Sequence, residues 1–485
     1  MNNTETKQNY GLALVTLTSL FFMWGFITCL NDVLIPFLKG VFTLSNFQAN
    51  LVQFAFFTAY FVISLIYFLV SYLWEDPIQK IGYKNTLVAG LLIAATACLL
   101  FFLEAGSENP EFGLFLSALF LLGTGFSFLQ IAANPLVAML GTPESSSSRL
   151  NLSQAFNSLG TTFSPLIGAF LIYEVFKGEA TSSKDIQMPY LILASVLLVL
   201  AGVLFFSNVP NRVGGDSAEK VSGAGALKHP YLICGMFGIF CYVGAEVAIG
   251  SNLSAFMEET FHFEKQTAAY YLMFYWGGAM IGRFMGSISM SGLERQKKYI
   301  LMALSGVICI TLICLVAVNN IPDFKVTDAI LFFVFFALNY VVFLMANSIP
   351  SRTLGLFAIV NILLIAGMLM SDGSNALWVL LSVGLFNSIM FSNVFTLSIE
   401  GLGKYTAQGS SLLVMMILGG AIVPPLQGLL ADVLGSSKLA FAIPMLCYAY
   451  LAWFGFAGSK LGKSKVVVVK KEEHPESVVL DRDSE

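Results

Sequence analysis

Two carboxylates stand where apolar chain would be expected. In "LNDVLIP" (30–36), Asn31 and Asp32 interrupt an apolar run from about Tyr10 to Leu38, with Pro36 four residues beyond Asp32. A carboxylate held in lipid costs at least ~2.5 kcal/mol, and groups retained at that cost mark ion or proton pathways. Pro36 frees backbone groups nearby. Asp32 is therefore a candidate for exchanging a proton with an aqueous cavity. The competing reading puts it about 10 Å outward of the helix centre, where its side chain reaches the interface. Glu246, in "YVGAEVAIGS", stands nearer the middle of its run. It reads either as a second coupling group or as a protonated structural glutamate hydrogen-bonded to a neighbouring helix.

Amides outline the rest of a polar surface. "FLQIAANPLV" sets Gln130 and Asn134 four apart, on one helical face. "RLNLSQAFNSLG" puts Asn151, Gln154 and Ser158 on one stripe with Asn157 beside it, and "GLFNSIMFSNVF" adds Asn387, Ser388 and Asn393. Amides donate and accept without fixed charge, which suits a hydroxylated solute. Interhelical hydrogen bonding, worth about 1–2 kcal/mol or less, is the competing use. Trp24, Tyr242 and Trp276 offer apolar faces for a sugar-like ring, or are packing. The candidate solute contacts are Asn31, Gln130, Asn134, Gln154, Asn157, Trp276, Asn387 and Ser388, and the candidate coupling groups are Asp32 and Glu246.

The elements that carry these residues follow from composition. Of 485 residues 57% are hydrophobic and 11% charged, and mean hydropathy is +0.79. A soluble domain is about a quarter charged, so the chain reads as an all-α integral membrane protein. The net charge of −4 gives no footing for nucleic acid. The first apolar run is too long for a cleaved signal and has no basic region ahead of it, so it reads as a spanning helix. All seven cysteines fall inside apolar runs without a C-x-x-C, and the histidines (229, 262, 474) lie at segment ends or in the tail. No metal and no cofactor is expected. "LGKS" (461–464) fails the phosphate-loop pattern because Ala457 stands where the first glycine belongs. Without a nucleotide site, an ion gradient or the solute's own gradient must drive movement.

Apolar runs predict about fourteen helices: near 11–38, 48–74, 83–104, 112–141, 150–174 and 188–208, then 229–257, 266–290, 299–318, 328–347, 354–371, 376–402, 406–432 and 438–458. With the N-terminus inside, eleven Lys and Arg fall in inner loops and six in outer ones, so both termini are expected in the cytoplasm. The halves repeat: Gly141, Gly160, Pro165 and Gly168 fall on Gly401, Gly420, Pro425 and Gly428 at an offset of 260. Earlier in the chain "FTLSNFQANL" matches "FHFEKQTAAY" at a shorter offset, so a hairpin has been inserted in the second repeat. The expected division is a six-helix bundle over 1–208, a cytoplasmic linker over 209–228, and a second bundle over 229–458 with the added pair at about 328–371. A disordered cytoplasmic tail over 459–485 completes it.

"LNDVLIP", "VFTLSNFQANLVQ", "LQIAANPLVAMLG", "SRLNLSQAFNSLG", "GLFNSIMF" and "KYTAQGSSLLVM" together resemble the fucose:proton symporter family of the major facilitator superfamily, over nearly the whole chain except the added hairpin and tail. The resemblance implies two six-helix bundles rocking about a central sugar site in a bacterial-type inner membrane. Asp32 matches a first-helix carboxylate implicated in coupling, and Gln154 and Asn157 match a fifth-helix patch facing the sugar. Gln130 stands where the fucose branch has a glutamate. That difference, with "YVGAEVAIGS", looks like the glucose/galactose branch, although Leu136 and Ser392-Asn393 depart from its usual residues. The expectation is a monosaccharide importer coupled to a cation, H⁺ in preference to Na⁺. Uniport without coupling is the alternative, and a membrane enzyme on lipid-linked sugar lacks the long outer loop it would need.

Overall fold

The computed structural model describes residues 11–44, 46–176, 182–212, 223–263 and 265–462. Of the tail expected over 459–485, residues 463–485 lie outside the described residues, as do residues 213–222 of the linker expected over 209–228. So do the side chains of Asn31 and Asp32, whose backbone is helical.

The first half contains α1 (Gly11–Val41), α2 (Asn46–Leu73), the short α3 (Pro77–Ile81), α4 (Tyr83–Ala105), α5 (Phe112–Met139), α6 (Ser146–Phe170) and α7 (Gln187–Phe206). The second contains α8 (Pro230–Phe261), α9 (Lys265–Ser289), α10 (Arg295–Asn320), α11 (Ile330–Ala346), α12 (Pro350–Met370), α13 (Gly373–Asn387), α14 (Met390–Ile399), α15 (Thr406–Met415), α16 (Gly419–Leu434), the short α17 (Ser437–Ala440) and α18 (Ala442–Phe456). No strand occurs among the described residues, as lipid requires of a chain whose backbone groups must pair within each segment.

Twelve described segments are long and apolar enough to cross a membrane, with α13–α14 and α15–α16 each forming one of them. The helices α6 and α9, 25 residues each, are as long but too polar to be among the twelve. With them the expected architecture of about fourteen helices is present. These two polar helices pack on each other and form one of the two long contacts between the halves; α2 and α15 form the other. Each thus turns its polar face toward protein rather than lipid.

The halves pack alike. The pair α1–α6 corresponds to α8–α16, and α2–α5 to α9–α13. In the first half α4 lies along both α5 and α7; in the second, α12 lies along both α13 and α18. The pair α10 and α11 remains: α10 runs along α9, and α11 touches α13. Gly141 and Gly401, matched in the repeat, both close a crossing with positive φ (124° and 80°), a backbone shape that costs glycine little.

The alternating direction of the helices puts loops at residues 74–76, 140–145, 290–294, 347–349 and 400–405 on one face of the molecule, the linker face, with residues 207–212 and 223–229, the described flanks of the inter-half linker. On this linker face hydrogen bonds tie the halves together. Ser147 Oγ meets Thr396 Oγ1 at 2.8 Å, Ser148 Oγ donates to the Ser287 carbonyl at 2.6 Å, and Ser410 Oγ donates to the Ile131 carbonyl at 2.9 Å. Asn151 donates to Asn393 Oδ1 at 3.3 Å. At the end of α2 the buried Asp76 carboxylate accepts from the Tyr67 hydroxyl at 2.6 Å and from the Ile78 N–H at 3.0 Å, capping α3. Burial pushes its pKa above the usual carboxylate value, against the lowering effect of those bonds.

Candidate functional site

The expected site residues form two clusters on different terms. In the first half, Gln130 and Asn134 sit on α5, 3% and 0% exposed. Gln130 is in hydrogen-bonding contact with the buried Tyr60 hydroxyl of α2, which also meets Trp24 of α1. The Gln130 Oε1 has no partner within the protein, nor does either polar atom of the Asn134 side chain, nor the Gln154 Nε2 on α6. A buried amide atom left open costs about 1–3 kcal/mol. Four such atoms on neighbouring helices are open to an added donor or acceptor. Asn157 is used differently: its Nδ2 donates to the Phe21 carbonyl at 3.0 Å and ties α6 to α1.

In the second half a cluster centred on Arg283 is satisfied, although Gln427, Ser392 and the Oδ1 atoms of Asn339 and Asn361 elsewhere in that half are also open. Glu246 Oε1 on α8 accepts from the Tyr242 hydroxyl at 2.6 Å and lies 3.2 Å from Arg283 Nη2 on α9. The side chains of Arg283 and Glu246 are 7% and 13% exposed, so this is a buried ion pair, with its carboxylate bonded through Oε1. The guanidinium uses its fork fully. Nε donates to the Ser388 carbonyl at 2.8 Å, Nη1 to Ser158 Oγ at 2.6 Å and the Gln154 carbonyl at 3.3 Å, and Nη2 also to the Tyr242 hydroxyl at 3.0 Å.

Beside it, Tyr275 donates to the Glu246 carbonyl at 2.9 Å and accepts from Asn387 Nδ2 at 2.7 Å. Asn387 Oδ1 accepts from Tyr448 at 2.6 Å and from Asn361 at 3.1 Å. Trp276 lies against the Tyr275 ring, centroids 5.1 Å apart.

A helix break makes this network possible. Between α13 and α14, at Ser388 and Ile389, the regular ladder stops. The Leu385 carbonyl there takes Ser388 Oγ at 2.8 Å and Asn339 Nδ2, from α11, at 3.0 Å instead. The Ser388 carbonyl is left for Arg283.

Gln154, Glu246 and Ser388 thus meet at Arg283, with Asn387 one tyrosine away. Gln130 belongs to the Trp24–Tyr60 group, and Asn134 is buried one turn further along α5. Asn31 and Asp32 are assigned to neither cluster because their side chains lie outside the described residues. Sequence reasoning missed Arg283, Tyr275, Tyr448 and Asn361. The signal for Arg283 is legible: an arginine in "AMIGRFMG", well inside an apolar run, is as costly in lipid as Asp32 and carries the same functional implication.

Known proteins resemble the chain along almost all of it. The sequence profile described as Major Facilitator Superfamily matches residues 12–362. A glucose/galactose transporter of Brucella abortus is 40% identical, over 94% of this chain and 96% of that protein. The L-fucose-proton symporter of Escherichia coli is 28% identical, over 92% and 93%. The crystal structure of the Escherichia coli fucose:proton symporter in its outward conformation superposes with a TM-score of 0.69 at 28% identity, over 92% of this chain and 98% of that one.

Proposed function

The chain belongs to the major facilitator superfamily, and we propose that it is a secondary transporter, not an enzyme, importing a monosaccharide with a cation by alternating access. Glucose and galactose are the first candidates, because the 40% identical relative is named for them. Proton coupling is preferred over sodium on the strength of the fucose relatives. The carrying observation is the set of open amide atoms of Gln130, Asn134 and Gln154 buried near the seam between two similar halves. Sugar hydroxyls supply the missing partners, and desolvation there would be repaid only by a ligand with hydroxyls on several sides. Asn31, Asn157, Trp276, Asn387 and Ser388 complete the proposed lining, and Asp32 and Glu246 the coupling groups. The bilayer is the other partner. The hydrogen bonds on the linker face fit a state closed on that side, with access from the other.

The test is sugar uptake into proteoliposomes with external pH recorded. Glucose or galactose added to the outside should alkalinise the medium. Uptake without a pH change would support uniport, and no uptake of any hexose would reject the reading.

Both termini and the linker face are proposed to be cytoplasmic, in a bacterial-type inner membrane, from the Lys and Arg asymmetry. A cysteine placed at Ser348 should stay unlabelled by an impermeant thiol reagent outside intact cells; ready labelling would invert the topology.

We take the division into bundles over 1–208 and 229–458 as the working one, but assign the added pair to α10–α11 instead of 328–371. The repeat's third helix is then α12, because α12 takes the role of α4 against its neighbours. Excising residues 295–346 behind a short linker should leave a protein that folds and binds sugar. Excising 330–370, which strips α12 from α13 and α18, should not; the reverse outcome would restore the earlier boundary.

A further inference from the structure

We propose that Arg283 is a sugar-binding donor that Glu246 masks until Glu246 is protonated. The proposal rests on the sugar-transport reading and assigns to that site a residue and an order of binding.

A guanidinium stays charged at any working pH, so the titratable member of the pair is Glu246. With Glu246 ionised the pair is neutral, and Arg283 Nη2 is taken by the carboxylate at 3.2 Å and the Tyr242 hydroxyl at 3.0 Å. The Nη1 donors reach the other half of the molecule, to Ser158 Oγ and the Gln154 carbonyl on α6. That brings the cation to the same residue whose Nε2 lacks a partner. Arg283 therefore stands between the satisfied network of the second half and the open amides of the first.

Protonation forms one O–H bond on Glu246, using a proton taken from the aqueous side that is open. The carboxyl then ceases to neutralise Arg283 and no longer competes as an anionic acceptor. The buried cation is left short of acceptor strength, and sugar hydroxyl oxygens are what the site admits to restore it. Release on the linker side reverses the sequence: the sugar leaves, the O–H bond breaks, and the ion pair reforms. Proton and sugar then strengthen each other's binding, as linkage requires of two ligands sharing one state.

Few other groups can confuse this titration. Tyr242 and Tyr275 face Glu246 directly, and Tyr448 of α18 lies near. The helices α13, α14 and α15 bring no titratable side chain to α8, and Asp432 of α16 and Lys460 are exposed at helix ends. Lys438 is tied to Asp372 at the far end. Asp32, if it also titrates, contributes equally to wild type and to variants at 246.

The test is sugar affinity measured against pH on purified protein. Wild type should bind more tightly as pH falls. Glu246→Gln, which mimics the protonated form, should bind about tenfold or more tightly than wild type at high pH, and match it at low pH. The neutral pair Glu246→Gln with Arg283→Gln should lose that gain, and Arg283→Lys should restore part of it over Arg283→Gln. Glu246→Gln binding no more tightly than wild type at high pH would overturn the proposal. So would a double variant that keeps wild-type affinity and pH dependence, or one that fails to assemble, since the charges would then serve structure. A wild type that binds no hexose would instead sink the transport reading itself.

Discussion

Two polar clusters, one in each half of this protein, are buried at similar depth but left in opposite states. In the first half, Gln130, Asn134 and Gln154 each keep at least one side-chain atom without a partner. In the second, Glu246, Arg283, Tyr275, Asn387 and Tyr448 satisfy one another at 2.6–3.2 Å. A closed network gives rigidity, because every member removed leaves a neighbour unpaired. An open one gives affinity, because a ligand completes it. On the proposed reading the difference is a division of labour within the repeat: one bundle offers the binding surface, the other holds the charge that governs it.

Glu246→Ala puts the greatest load on this contrast. It leaves Arg283 as an unpaired buried cation and should destabilise the protein by about 3–5 kcal/mol. Thermal unfolding of the purified protein measures this, and an unchanged midpoint would mean that the second-half network is not closed in solution.

Asp32→Asn should have a different kind of effect. The amide keeps the shape and hydrogen bonding of a protonated carboxyl but cannot release a proton. Uphill accumulation should be lost while sugar binding, counterflow exchange and the unfolding midpoint persist. Wild-type accumulation in this variant would discard Asp32 as a coupling group, and a collapse in stability would class it with the second-half network.

The smallest effects belong to the open amides. Gln130→Ala and Asn134→Ala should each weaken sugar binding by about 2- to 12-fold, the equivalent of one hydrogen bond of ~0.5–1.5 kcal/mol. Asn134→Ala should leave the unfolding midpoint nearly unchanged, because both its polar atoms are open, whereas Gln130→Ala also removes the contact with the Tyr60 hydroxyl and should lower the midpoint modestly. Unchanged affinity with a lower midpoint would turn them into interhelical contacts and erase the contrast.

How far the sequence reached can be read from particular residues. Length and hydropathy found the helices, including α6 and α9, whose polar faces kept them below the threshold that the other crossings meet. The amide class of Gln130, Asn134 and Gln154, inside apolar runs, marked them as inward-facing, and the four-residue spacing put Gln130 and Asn134 on one helical face. Arg283 is hard to see because lysine and arginine in such a chain are mostly loop residues that report orientation. Tyr448 and Asn361 were out of reach for a deeper reason: both meet Asn387 only through tertiary packing across 61 and 26 residues. On the proposed division the added pair falls one helix earlier than the repeat suggested. Short glycine and proline matches fix an offset but not which helix lies along α13 and α18.

The polarity of α6 and α9 has a consequence for how the protein is made. The two helices belong to opposite halves, and α6 is synthesised well before the α9 surface that shelters it. Between those moments α6 presents Gln154 and Ser158 without Arg283, and Asn151 without Asn393, on a segment too polar for ready partition into lipid. The first half is therefore an assembly intermediate with an exposed hydrophilic flank, one that invites a membrane chaperone or early degradation. Residues 1–212 expressed alone should be short-lived and should be rescued by co-expressing 223–485. A first half that accumulates stably by itself would show that α6 finds shelter before its partner arrives.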